Sequence, residues 1–126
     1  MIRILVTGSR FATAVAHREY VWNRLTWWAN YFGGEHIIMH GQCHFGGVDL
    51  LAEEWAAARG WKTDRHPASR YGGALKRNRA MVALGPRVCI GFPSTTRSTG
   101  TIHCLTEALK AGVEVHAYPI DTAVAR

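Results

Sequence analysis

Acidic residues are scarce in this sequence. Nine Asp and Glu stand against fifteen Lys and Arg, giving a formal net charge of +6 and an isoelectric point near 9.7. That balance favours anionic partners such as nucleotides, nucleic acid or phosphorylated metabolites, and does not choose among them. Cysteine is sparse as well. Cys43, Cys89 and Cys104 show no CxxC spacing, which argues against a disulfide framework and fits a reduced, cytoplasmic protein. His40, Cys43 and His44 cluster, but no second Cys/His pair follows at finger-like spacing, so neither a metal nor any other cofactor is expected. No Ser-His-Asp or H-E-x-x-H arrangement appears. No apolar run approaches the ~20 residues of a membrane span. The first one, Met1 to Gly8, turns too soon for a signal peptide and reads as a buried strand. Repeats, long linkers and low-complexity segments are absent too. What remains is 126 residues, 48% hydrophobic, which suits one domain over residues 1–118 and a frayed tail over 119–126.

Taken in order, the chain alternates strand and helix signals. Ile2 to Val6 is an apolar strand, followed by a turn at Thr7-Gly8-Ser9-Arg10. About Ala12 to Phe32 is helical by period, with Val21, Trp22, Leu25, Trp28, Ala29 and Phe32 on one wide face. Tyr20, Trp27 and Tyr31 form a second stripe, with Arg24 and His17 beside them. One helix with two aromatic faces predicts a homodimer or higher homo-oligomer through the outer stripe. Glu35 to His40 is the second strand. The second helix, Val48 to Arg59, turns Leu51, Trp55 and Ala58 inward and stops at Gly60. Trp61 to His66 is a short third strand, and Ser69 to Gly73 reads as a mobile connection. Ala74 to Leu84 is the third helix, Arg87 to Phe92 the fourth strand, Ile102 to Ala111 the fourth helix and Val113 to Tyr118 the last strand. This βαβαβαβαβ order predicts an α/β fold: a Rossmann-like parallel sheet of about five strands with helices on both faces.

Ligands in such sheets bind beyond the carboxyl ends of the strands, and four segments at that edge share one design. Gly8-Ser9-Arg10 offers a small turn and a guanidinium. His40-Gly41 leads into Gly46-Gly47, with Asp49 in the first turn of the next helix. Arg77-Asn78 opens toward the same edge from the third helix, with Met81 in the core. Ser98-Thr99-Gly100-Thr101 places hydroxyls and a glycine at a helix start, where unpaired N–H groups and the helix dipole attract anions. Together these predict a cradle for a phosphate and a sugar, with Asp49 able to accept from ribose hydroxyls. Each residue also has a plainer role: Ser98 or Thr99 as an N-cap, Asp49 as a dipole partner, Arg77 on a solvated face. Cys89 reads as core. His103 and Cys104 share the fourth helix, and neither has a visible base to activate a nucleophile.

In that order, these motifs resemble the YspA/cpYpsA-related branch of the SLOG superfamily, over about Ile2 to Tyr118. The resemblance implies a Rossmann-like nucleotide-binding domain, related to the LOG phosphoribohydrolases, the molybdenum-cofactor carriers and the DNA-loading protein DprA. LOG enzymes carry a Pro-Gly-Gly-x-Gly-Thr loop followed at once by acidic residues. Here a longer loop follows Phe92-Pro93, Thr101 leads into Ile102-His103-Cys104, and the first carboxylate is Glu107. Arg77-Asn78-x-x-Met81 also stands where those enzymes have Arg-Lys-x-x-Met. The comparison implies a retained phosphate cradle and puts the acid chemistry in doubt, with Asp49 as the one carboxylate that could substitute. The leading expectation is therefore a binder of a nucleotide or nucleotide-derived ligand, acting as a sensor, carrier or sequestering protein. A LOG-like phosphoribohydrolase using Asp49 is the alternative. Single-stranded DNA binding is less favoured, because the positive charge is scattered and the aromatics lie on a helix.

Overall fold

The computed structural model describes residues 1–42 and 46–123. Within them, five strands and four helices alternate: β1 (Arg3–Gly8), α1 (Val15–Phe32), β2 (Ile37–His40), α2 (Val48–Arg59), β3 (Lys62–Arg65), α3 (Ala74–Ala83), β4 (Val88–Phe92), α4 (Thr99–Lys110) and β5 (Glu114–Ala117). Every strand pair is parallel, and the order across the sheet is β3-β2-β1-β4-β5. This is the α/β Rossmann-like arrangement that the alternation of signals predicts.

Strand periodicity divides the core into two layers. Ile4 and Val6 of β1 point to one face, where they meet Val21, Leu25 and Trp28 of α1 and Leu51, Ala52 and Trp55 of α2. Leu5 points to the other face and joins Met39, Cys89, Met81 and Val82 of α3, and Cys104, Leu105 and Ala108 of α4. All five residues of β4 are buried, as a central strand covered on both faces requires.

Several local expectations are corrected. The first strand runs on to Gly8, so its turn starts at Ser9. The fourth helix starts at Thr99, three residues before the apolar periodicity does. Ala58 is exposed, because the buried stripe of α2 runs Leu51, Ala52, Trp55, Ala56 and drifts away from it. The connection around Ser69 to Gly73 is held in place: a turn of 3-10 helix spans Ala68–Arg70, and the Tyr71 hydroxyl lies 2.7 Å from His66 Nδ1. The segment after Pro119 is not frayed as far as residue 122. Ile120 is buried and forms a bridge to Ser94, and the Asp121 carbonyl lies 2.9 Å from His17 Nε2. His17 also accepts from the Ala14 N–H, so one imidazole ties the start of α1 to the end of the chain.

On the outer face of α1, Trp27 and Tyr31 stack within 6° of parallel and stay exposed. Tyr20 is half-buried, edge-on to Phe92. Trp28 faces inward, and its indole N–H donates to the Tyr118 hydroxyl at 3.0 Å. No helix among the described residues is long and apolar enough to cross a membrane.

Candidate functional site

The order of connections reverses between β1 and β4, the two central strands. Crossovers leave on opposite faces there, so a crevice opens above the strand ends. A cavity of about 370 Å³ lies at this point. The end of β1 and its loop supply Thr7, Gly8, Ser9, Arg10 and Phe11. The loop after β4 and the start of α4 supply Arg97, Ser98, Thr99, Gly100 and Thr101. Asp49 enters from α2, and Ala74 and Arg77 from α3.

Each wall is held by the backbone. Ser9 donates its N–H to the Phe92 carbonyl at 3.1 Å, and its own carbonyl accepts from Val48 N–H at 3.0 Å. Its hydroxyl accepts from the Phe11 N–H. The loop leading to α4 is fastened at its base. Ser94 bridges to Ile120 and its hydroxyl meets those of Thr96 and Thr122, while the Ser98 hydroxyl donates to the Ser94 carbonyl. Ser98 therefore does not cap α4 with its side chain. The first N–H of α4 to find a helical acceptor is that of Ile102, on the Ser98 carbonyl. The N–H groups of Thr99, Gly100 and Thr101 stand ahead of it, with no such acceptor in the helix.

The chain matches the YspA, cpYpsA-related SLOG family over residues 2–71. It also matches "Gene 61 protein" of Mycobacterium phage D29, at 35% identity over 125 residues, covering 91% of this chain and 94% of that one. The chain belongs to the YspA, cpYpsA-related SLOG family. The family match ends at Tyr71, so Arg77 and the whole α4 wall of the cavity lie beyond it.

Nine of the expected site residues of this SLOG chain line one cavity: Gly8, Ser9, Arg10, Asp49, Arg77, Ser98, Thr99, Gly100 and Thr101. Asp49 is buried there at 8% exposure. Three of the others, His40, Gly41 and Asn78, lie behind the wall. The His40 imidazole is buried, 2.9 Å from Glu53 Oε1, with its other nitrogen accepting from the Gln42 N–H. The Gly41 carbonyl accepts from Arg77 Nη1 at 2.6 Å. Asn78 is buried and serves as a hub, accepting from Arg77 Nε at 2.9 Å and donating to the Gly100 carbonyl. Gly46 faces a separate hollow between the starts of α1 and α2, which Gly47 also borders. Cys43 and His44 lie outside the described residues. Glu107 is far from a catalytic placement: it pairs with Arg79 and Lys110 between α3 and α4.

Arg77 is held by three acceptors. Nε reaches Asn78, and Nη1 reaches the carbonyls of Gly41 and His66. Its planar fork is thereby fixed beside the cavity, with Nη2 making no hydrogen bond to a described residue. Sequence reasoning missed Thr7, Phe11, Ala74 and Arg97 as lining residues. Arg97 had a signal, since it directly precedes the Ser98–Thr101 cradle. Beneath the floor, Cys89 and Cys104 are both buried. The facing Cys104 sulfur and burial both push the Cys89 thiol up, which keeps it protonated.

The ion pairs behind the site set an acid limit. The Arg65 guanidinium, then the His40 imidazole, hold the Glu53 carboxyl below its ordinary 4.5 against the opposing effect of burial. A carboxyl with a lowered folded pKa stabilises the fold above its ordinary value and loses that contribution as pH falls through the folded one. The urea midpoint should stay level down to about pH 5 and fall below it, with a shallower fall in Glu53→Gln. An identical slope in that variant would show that Glu53 contributes nothing to it.

Proposed function

We propose that this chain binds a nucleotide or nucleotide-derived ligand in the cavity between β1 and β4, with a phosphoryl group on the start of α4 and the sugar beside Asp49. The observation that carries this reading concerns Gly100. Its backbone φ is not in the left-handed region, and a Cβ built on it would meet nothing within 4 Å. The fold therefore makes no demand for glycine at this position. Gly100 lines the cavity at the start of α4, and Arg10 and Arg77 line the same cavity. A glycine that packing does not require is explained by a ligand approaching its backbone. Family membership supports the same ligand class.

The test separates fold from ligand. Gly100→Ala should leave the melting temperature unchanged or slightly raised, because alanine is the better helix former by roughly 0.5–1 kcal/mol. It should also weaken binding of nucleoside monophosphates by at least about tenfold, through contact with the bound phosphate and loss of amide hydrogen bonds to a charged group. Mass spectrometry of small molecules carried through purification would name the base. Unchanged affinity in Gly100→Ala would remove the phosphate from the start of α4.

A further inference from the structure

The two edge strands of the sheet are built differently. β3 reads Lys-Thr-Asp-Arg, with charge along most of its length, which is how an edge resists pairing with another chain. β5 reads Glu-Val-His-Ala, and no described segment pairs with its outer side. Tyr118 N–H donates to the Gly91 carbonyl of β4, so strand alternation turns the backbone groups of Glu114 and His116 toward β4 and those of Val115 and Ala117 outward.

The helices above and below β5 leave apolar side chains on the same flank. α2 covers β1, β2 and β3, and α1 meets it through Trp22, whose N–H donates to the Leu51 carbonyl, and Thr26, which accepts from Trp55. At about 100° per residue, Trp27 and Tyr31 stand on the far side of α1. That is the side of β5, where the Trp28 ring lies 4.4 Å from His116. On the other face, α4 meets α3 through His103 and Glu107, which reach Asn78 and Arg79. Ile102 and Leu109 share one stripe on the far side of α4, again toward β5. All four side chains are at least half exposed.

We propose that this flank binds a second copy of the chain, β5 against β5 in antiparallel register about a two-fold axis at Val115, so that the two sheets become one. Self-complementarity of β5 selects a second copy as the occupant. Glu114 and His116 lie on one face, and this axis sets each Glu114 opposite the partner's His116. Within one chain Glu114 already reaches His116 and Arg87. Pairing the strands extends this into an alternating cluster in which no two carboxylates stand directly opposite. The outward N–H and C=O of Val115 then bond those of the partner's Val115. A strand of this length buries too little alone, since stable interfaces take roughly 800 Å² from each partner. The Trp27–Tyr31 and Ile102–Leu109 stripes extend the contact on both faces of the joined sheet.

Sedimentation equilibrium of the full chain under reducing conditions should give twice the 14.0 kDa of one chain at micromolar concentrations. Tyr31→Glu on the α1 side and Leu109→Glu on the α4 side should each weaken the dimer at least about tenfold, with a native far-UV spectrum. Leu50→Glu, an equally mild change at an exposed residue of α2, should leave it intact. Val115→Cys, at a half-buried position, should join two copies by a disulfide in oxidised glutathione, beyond any cross-link in the unsubstituted chain or in Thr63→Cys on β3. A monomer at these concentrations would overturn the second copy and leave the open edge of β5 to a strand from another protein. A dimer that survives both Tyr31→Glu and Leu109→Glu, or that Leu50→Glu breaks as readily, would overturn the interface. Loss in only one of the two flank variants, or no cross-link in Val115→Cys, would overturn the pairing of β5 with β5.

Discussion

Gly47→Ala should unfold or severely destabilise the protein. Gly47 adopts φ +78°, in the left-handed region, immediately before α2. A Cβ there would overlap the Arg10 Cα and the Ser9 carbonyl oxygen. Both are backbone atoms, so no side-chain rotation relieves the clash. The contact is also the junction where Val48 N–H donates to the Ser9 carbonyl, fixing α2 to the end of β1. Left-handed strain costs roughly 1 kcal/mol and overpacking against rigid backbone about 1–3 kcal/mol more. A loss of about 3 kcal/mol is a large share of the 5–15 kcal/mol that holds a domain of this size. Urea denaturation of Gly47→Ala beside Gly100→Ala makes the comparison sharp, because the same substitution meets open space at Gly100. A Gly47→Ala midpoint equal to that of the unsubstituted chain would mean that α2 and the β1 loop separate at little cost.

That contrast shows what was legible in the sequence. Both glycines sit at helix starts on one sheet edge, and spacing alone assigns both to a ligand cradle. In the structure one gives room for helix to meet strand, and the other lines the cavity with nothing packed where a Cβ would stand. Glycine reads the same in both cases, because both need the missing side chain. The sheet was legible for a firmer reason. Apolar runs of four to six residues alternating with helical periods leave few arrangements, and parallel strands then bring all their carboxyl ends to one edge. Arg10, Asp49 and Thr101 meet there despite wide separation in sequence. His40 and Asn78 were harder to place. Each is polar and lies near the edge, yet each faces inward to pair with a half-buried side chain, and sequence does not distinguish a hydrogen bond to protein from one to a ligand. Arg97 was hard for the opposite reason: it lies on a loop with no period to orient it.

Arg77 is held by three protein acceptors and also lines the cavity, and its replacement should cost both stability and the proposed binding. In Arg77→Ala the carbonyls of Gly41 and His66 and the Asn78 amide oxygen lose their donors together. Unpaired polar groups in a partly buried position cost about 1–3 kcal/mol each when water does not reach them. The position is half-buried, so water will replace part of this, and a net loss of about 2–3 kcal/mol is expected. Affinity for a phosphorylated ligand should fall at least about thirtyfold, since a fixed cation is lost and the Asn78 bond to the Gly100 carbonyl is loosened. Arg77→Lys keeps the charge but not the fork. One ammonium reaches fewer of the three acceptors, so stability should recover partly and affinity less. Gly41 explains why the pair is built this way. A Cβ on Gly41 would overlap the Arg77 guanidinium, so the β2 loop is cut back to admit it. Gly41→Ala should therefore displace the same side chain without removing it, reproducing the affinity loss of Arg77→Lys with a native far-UV spectrum. Full affinity in Gly41→Ala would show that the guanidinium need not stand where the three acceptors hold it.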